Sequence, residues 1–126
     1  MLKSILVCII TLLALVFFQS SGFAKDAVFD PFWVKFQTAL KNNDKEAIAS
    51  MTKLPYQSYK WNMKSMDKKA FIAYCAELFP KKTRDCLFKQ KPVKDKDSYS
   101  AFCGEDIFIF EKVNGTYLFT EVGVND

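Results

Sequence analysis

Residues 107–124 read Ile-Phe-Ile-Phe-Glu-Lys-Val-Asn-Gly-Thr-Tyr-Leu-Phe-Thr-Glu-Val-Gly-Val, and this stretch decides the fold. β-branched and aromatic residues lie on both sides of Asn114-Gly115, and Asn-Gly is the pair that best fits a two-residue hairpin turn. The stretch therefore predicts two antiparallel strands at the carboxyl end of the chain.

The turn at Asn114-Gly115 also predicts which residues face one another across the hairpin. Counting symmetrically from the turn places Phe110 opposite Phe119 and Phe108 opposite Glu121. One face then carries aromatic side chains with Glu121 among them, and the other face carries mainly aliphatic side chains. Because both faces are apolar, we expect one to pack on helices and the other to meet a second subunit.

Helical periodicity dominates the chain before the hairpin. Helices are predicted over 30–40, where Asp30-Pro31 is a typical helix start, over 44–54, and over 65–79 with Ser65 as the cap. Short strands are predicted at 56–61 and 99–103. With helices first and an antiparallel sheet last, the sequence predicts an α+β fold.

The first 24 residues have the features of a secretory signal peptide. Lys3 precedes an apolar run over 5–18 that is broken only by Thr11, and small residues lead to a cleavage site after Ala24. A spanning helix needs about 20 apolar residues, so a membrane anchor is the less favoured alternative. We expect an exported protein, periplasmic or secreted, in which 25–126 form one domain with no membrane span after cleavage.

Three cysteines remain after such a cleavage: Cys75, Cys86 and Cys103. In an oxidising compartment we expect one disulfide and one thiol left over. A bond between Cys75 and Cys86 is the first choice, a bond between Cys86 and Cys103 is the second, and the spacing alone does not decide between them.

Composition argues against several classes of function. The chain contains no histidine, which disfavours hydrolase triads and zinc chemistry, and no metal or cofactor is predicted. Its net charge of +4 is too small to indicate nucleic acid as a partner. The segment 81–97 is strongly basic, and we interpret it as a solvated connection with a charged edge strand. The alternative for this segment is contact with an anionic envelope surface or an acidic partner.

The order of these elements, with an aromatic-rich first helix Asp30-Pro31-Phe32-Trp33-Val34-Lys35-Phe36-Gln37-Thr38-Ala39-Leu40 and the closing hairpin, resembles small exported members of the NTF2-like, cystatin-like superfamily. The resemblance covers 28–124 and implies helices laid into a curved sheet that forms a cone with a cavity. The superfamily includes isomerases, dehydratases, transport factors and exported domains, so the fold leaves the activity open.

A non-catalytic binding module is the function that the sequence favours. Its ligand is expected to be a small apolar or amphipathic molecule held in an aromatic-lined cone. The candidate ligand-binding residues are Trp33, Phe36, Phe108, Phe110 and Phe119. The alternative for each of these rings is a place in the core, since a small domain needs bulky residues to bury enough area.

Two other functions stay open. The first alternative is an inhibitor or immunity-type protein that covers an envelope partner with its outer sheet face or its basic segment. The second alternative is an isomerase-like or dehydratase-like enzyme. For the favoured binding module, we expect a homodimer formed through the sheet. For the enzyme, Glu121 is the candidate general base in an apolar cone, and Tyr56, Tyr59 or Tyr74 would donate a hydrogen bond. The alternative for Glu121 is a strand-end carboxylate that reaches solvent or pairs with a lysine.

Overall fold

Helices precede a four-stranded sheet in the computed structural model, which describes residues 26–57 and 65–125. The helices within these ranges are α1 (Phe29–Lys41), α2 (Lys45–Ser50), α3 (Lys68–Leu78) and α4 (Lys81–Lys89). The strands are β1 (Val93–Asp95), β2 (Ser98–Cys103), β3 (Asp106–Val113) and β4 (Thr116–Val124), and they form an antiparallel sheet in the order β1-β2-β3-β4. The predicted α+β fold, with helices first and an antiparallel sheet last, is confirmed.

Some predictions concern residues outside these ranges. The signal peptide and the aromatic residues Tyr59 and Trp61 are among them. Of the helices that the structure describes, none combines the length and the apolar character that crossing a membrane requires.

Aspartate side chains set the starts of the first three helices. The carboxylate of Asp26, rather than that of Asp30, accepts two backbone N–H groups at the start of α1, each at 2.9 Å. Asp44 caps α2 as predicted, whereas α3 is capped by Asp67 instead of Ser65. A short carboxylate is well suited to these positions because the first N–H groups of a helix have no partner within it.

The basic segment contains a helix that the sequence analysis missed. α4 follows Pro80 directly and buries Leu87 against the rest of the protein, while most of its other side chains are exposed or half-buried. The apolar residues of α4 are few among charged ones, and this composition favours a solvated connection over a helix. The strand β1 lies at the edge of the sheet and is exposed throughout, and the predicted charged edge strand is confirmed there.

The core lies between α1 and the inner face of the sheet. The rings of Phe36 and Phe110 meet edge to face with their centroids 5.1 Å apart, and Phe119 packs 5.7 Å from Phe110. Each of these three side chains is fully buried. Burying a phenylalanine side chain contributes about 1.5–3 kcal/mol relative to leaving it exposed, so this layer of rings holds α1 on the sheet.

A β-bulge in β4 changes the predicted hairpin register. The predicted pairing holds from the turn to Phe119, but Thr120 is an extra residue, so Phe108 faces Val122 and not Glu121. Adding one residue to a strand moves every later side chain to the opposite face. Val122 therefore enters the core at 3% exposed, and Glu121 lies on the outer face.

The chain between α2 and α3 covers part of the free edge of β4. Thr52 forms a parallel bridge with Phe119, and the backbone N–H of Lys53 donates to the Phe119 carbonyl at 2.8 Å. Tyr56 then pairs with Met66 in an antiparallel bridge. A strand was predicted over 56–61, and the structure describes residues 56 and 57 of that range. The bridge at Tyr56 is the strand pairing found there.

The disulfide joins Cys86 of α4 to Cys103 of β2, with their Cα atoms 6.0 Å apart. The first-choice pairing of Cys75 with Cys86 is wrong, because Cys75 lies on the buried side of α3 at 2% exposed, whereas α4 places Cys86 beside β2. Cys75 is a free thiol, and burial raises its pKa to about 11. The second-choice pairing is the one that forms.

Candidate ligand cleft at the start of α1

Four of the five predicted ligand-binding rings lie in the core. Phe36, Phe108, Phe110 and Phe119 are each at most 1% exposed, and each packs against other aromatic rings. Their rings fill the space between α1 and the sheet where the sequence analysis expected a cone. Trp33 also packs on this layer, but it borders an open cleft as well.

The cleft lies between the start of α1 and the connection from α4 to β1, and its volume is about 420 Å³. One wall comes from the amino-terminal part of the fold, and the other comes from the α4–β1 connection together with β1 and β2. The lining residues are Asp26, Phe29, Asp30, Trp33, Gln90, Lys91, Pro92, Lys94 and Tyr99. This volume is within the range of about 300–1,000 Å³ that is usual for small-molecule sites.

Stacked aromatic rings form the floor of the cleft. The ring of Tyr99 lies on that of Phe29 with a centroid distance of 3.6 Å and an interplanar angle of 9°. Trp33 is nearly parallel to Phe29 at 6.0 Å, and it meets Phe110 of the core edge to face at 5.4 Å. Because the floor continues into the core, the flat apolar surface is preformed.

Asp26 joins the two walls of the cleft. One oxygen of its carboxylate accepts the two N–H groups at the start of α1, and the other accepts the hydroxyl proton of Tyr99 at 2.8 Å. The Nζ atom of Lys94 lies 3.7 Å from that second oxygen. These groups, led by the N–H of Phe29 and the Tyr99 hydroxyl, lower the pKa of Asp26 to about 2. Burial, followed by the hydrogen bond to Asp26, raises the pKa of Tyr99.

The side chain of Trp33 joins the core to the cleft. It is 8% exposed, lines the cleft and packs on Phe29 and Phe110. The part of the ring that borders the cleft therefore extends the apolar floor.

Charged groups of opposite sign border the two walls. Asp30 is exposed on the α1 wall, while Lys91 and Lys94 lie on the opposite wall. The side chain of Lys94 is 58% exposed, and its Nζ atom also lies 6.0 Å from the centroid of the Tyr99 ring. The cleft therefore combines an apolar floor with a polar rim that carries both charges.

Glu121, the candidate general base, lies on the other side of the sheet. It borders a polar cleft of about 220 Å³ together with Lys53, Gln57, Glu111 and Thr120. Of its expected hydrogen-bond donors, Tyr56 is buried in the core and Tyr74 is half-buried on α3. The structure does not bring these residues together with Glu121 in an apolar cone.

The outer face of the sheet carries a group of apolar side chains. Phe102 of β2 is 43% exposed and pairs with Ile107 of β3, while Ile109 and Leu118 are half-buried on the same face. No described helix covers this face, because α1 packs on the opposite one. It is the surface that the sequence analysis expected to meet a second subunit.

The basic segment forms a solvated surface on α4. Lys81 pairs with Asp85 at 2.7 Å, which lowers the pKa of that carboxylate, and both side chains are mostly exposed. Lys41 of α1 lies 5.7 Å from the ring centroid of Phe88, which is 42% exposed. The ion pair lies within α4, and the contact between Lys41 and Phe88 joins α4 to α1 at the surface.

Most of the cleft was missed at the level of sequence. Asp26 and Tyr99 are 73 positions apart, and only the pairing of the sheet with α1 brings them together. The sequence contained one signal for the role of Asp26, because this residue precedes Phe29 with a spacing suited to helix capping. The Asp30-Pro31 pair was the stronger indication of a helix start.

Within 26–57 and 65–125, no group of three His, Cys, Asp or Glu side chains is arranged to hold a metal ion. No protein-family model, curated protein or solved structure matches this chain. The case for any function of the protein therefore depends on the geometry of its own residues.

Proposed function

We propose that the protein is an exported, non-catalytic binding module of the NTF2-like type, and that its ligand is a small amphipathic molecule held in the cleft beside Trp33. The observation that carries this proposal is the preformed aromatic floor, to which Trp33 belongs, beside the charged groups of the rim. A flat apolar surface with a few converging polar groups is the usual composition of a small-molecule site.

The placement of the site follows from the filled core. The resemblance to the NTF2-like superfamily implies a ligand inside the cone. In this protein, the rings of Phe36, Phe108 and Phe119 occupy that space. The helix order and the packing of α1 on an antiparallel sheet support the family assignment. The ligand would therefore lie at one end of α1, where the aromatic layer reaches the surface.

Export is supported by two features. The amino-terminal sequence has the form of a signal peptide, and the disulfide between Cys86 and Cys103 needs an oxidising compartment to persist. The leader itself lies outside the described residues.

Tryptophan fluorescence tests the binding proposal. The chain has two tryptophans, so the Trp61→Phe variant retains Trp33 as its single reporter. Titration with the apolar dye 1-anilinonaphthalene-8-sulfonate should quench Trp33 by energy transfer, because the dye would lie on the aromatic floor. Trp33→Phe is expected to weaken dye binding about tenfold relative to the matched Trp61→Phe control, through loss of part of the apolar floor. Equal dye affinity in the two variants would place the dye elsewhere and contradict the proposed site.

A protein partner on the outer sheet face is the second candidate, and the exposed Phe102 next to Ile107 and Ile109 favours it. If this face meets a second copy of the chain, Ile109→Arg should convert a dimer to a monomer in sedimentation experiments. Val34→Arg is the matched control, since Val34 is 60% exposed on α1 and lies away from the sheet. A monomeric parent protein, or a dimer that survives Ile109→Arg, would remove the homodimer from consideration.

A further inference from the structure

We propose that the cleft beside Trp33 takes a zwitterionic ligand, namely a free α-amino acid with an aromatic or large aliphatic side chain. This inference rests on the proposed function, because it names the chemical class that the same cleft would bind. Three observations carry it: the acidic group of one wall, the basic groups of the other, and the floor between them.

The α1 wall offers one available carboxylate. Asp26 is already occupied by two backbone N–H groups and the Tyr99 hydroxyl. Asp30, one turn further along α1, is exposed and forms no ion pair with any described residue. An ammonium group of a ligand would find its partner in Asp30.

The opposite wall offers ammonium groups. The Nζ atom of Lys94 lies 3.7 Å from the Asp26 carboxylate, which is longer than a direct hydrogen bond, so its N–H donors are available to a ligand carboxylate. Lys91 lines the same wall. The formal charges of the two aspartates and the two lysines of the cleft cancel. The cleft therefore favours neither a ligand with only a negative charge nor a ligand with only a positive charge.

The floor accounts for the apolar side group. The Trp33 indole and Pro92 border the cleft, and Tyr99 stacked on Phe29 completes a flat surface that suits a ring or a branched alkyl group. A fully apolar ligand would cover the charged rim without pairing with it, and such desolvation is unfavourable. A molecule with two charges at one end and an apolar group at the other satisfies both parts of the cleft.

Four matched probes test the charge requirement in the Trp61→Phe background. Phenylalanine carries both charges, phenylalaninamide keeps only the ammonium, N-acetylphenylalanine keeps only the carboxylate, and N-acetylphenylalaninamide carries neither. Hydrogen bonds to charged groups contribute about 1.5–3 kcal/mol, so phenylalanine should bind at least about tenfold more tightly than each of the other three. Calorimetry and Trp33 fluorescence measure these affinities.

Single substitutions assign each charge to its wall. Asp30→Asn should abolish the preference for phenylalanine over N-acetylphenylalanine, and Lys94→Gln should abolish the preference over phenylalaninamide. Glu77→Gln on α3 and Lys112→Gln near the hairpin turn are the matched controls, since both positions are exposed and neither lines the cleft. Circular dichroism verifies that the variants are folded.

The outcomes separate the inference from the proposed function. If a capped analogue binds as tightly as phenylalanine, or if the wall substitutions leave the preferences unchanged, the zwitterion assignment is overturned while binding in the cleft stands. If none of the four probes binds but the apolar dye still binds at Trp33, the same conclusion follows. If neither the probes nor the dye bind, both the inference and the proposed function fail.

Discussion

Replacing Asp26 with asparagine should destabilise the protein at neutral pH and leave its stability at acidic pH almost unchanged. The Asp26 carboxylate accepts hydrogen bonds from two N–H groups of the first helical turn and from the Tyr99 hydroxyl. Asparagine keeps one acceptor oxygen for the helix, but its amide nitrogen cannot accept the Tyr99 proton. The substitution therefore cuts the tie between α1 and β2 and leaves the cap in place.

The size of the effect follows from the pKa of Asp26, which falls from its ordinary value of 3.8 to about 2. Since one pKa unit corresponds to about 1.4 kcal/mol, this difference corresponds to about 2 kcal/mol as an upper bound. The side chain is 18% exposed, so solvent screening reduces the figure, and we expect a loss of about 1–2 kcal/mol. Because the pKa is lowered on folding, the stabilisation is complete above about pH 4 and is lost as the pH falls toward 2.

Urea denaturation followed by fluorescence at pH 7 and again near pH 2 measures this difference. The Asp85→Asn variant is the matched control, because its carboxylate takes part in an exposed ion pair and its loss should change the free energy of unfolding little. In a double-mutant cycle, Asp26→Asn and Tyr99→Phe should each remove the same interaction, so their effects should not add. Additive effects, or an Asp26→Asn penalty that stays constant between pH 7 and pH 2, would refute the reasoning.

Three further predictions concern the core and the cysteines. Replacing Cys86 and Cys103 together with serine should lower the free energy of unfolding by about 3 kcal/mol, measured by urea denaturation, because the disulfide closes a segment with a sequence separation of 17. Cys75 should react with a thiol reagent about 100-fold more slowly in the folded protein than in urea, since burial raises its pKa to about 11 and reduces the thiolate fraction; equal rates would show that the thiol is accessible. Phe119→Ala should cost about 3–5 kcal/mol in the same denaturation assay, whereas Phe102→Ala on the outer face should cost less than about 1 kcal/mol.

The elements with strong local signals were predictable. The Asn114-Gly115 turn defines its own hairpin, and Asp44 caps a helix at the expected place, because both depend on residues close in sequence. The aromatic rings of α1 also showed their helical spacing. These features are set by a few neighbouring side chains and need no knowledge of the rest of the fold.

The errors arose where tertiary contacts decide the outcome. The bulge at Thr120 has no sequence signature, yet it moves Glu121 to the outer face and so changes the neighbours of the candidate base. Cys86 pairs with Cys103 because α4 is a helix that lies beside β2, and the charged composition of that helix pointed to a solvated connection instead. A sequence read along its length cannot show which elements will be neighbours in space.

The candidate cleft illustrates the same limit. Trp33 was predicted as a ligand-binding residue, and it does border the cleft, but the reason given for it was a cone that the phenylalanine rings fill. Asp26, Lys94 and Tyr99 come from both ends of the described chain and meet only through the sheet order. The burial of an aromatic ring depends on how much of it is covered by neighbouring elements. For that reason the sequence did not show which rings are in the core and which reach the surface.

The hydrogen bond between Asp26 and Tyr99 has a consequence for how the chain reaches its folded state. The aromatic rings of α1 also pack on rings of β3 and β4, the last strands to be synthesised, so the core beside α1 cannot be completed until those strands are present. Contacts over such a distance along the chain require a large loop to close, which slows folding. Folding of this core is therefore expected to be completed only after β4 has been synthesised.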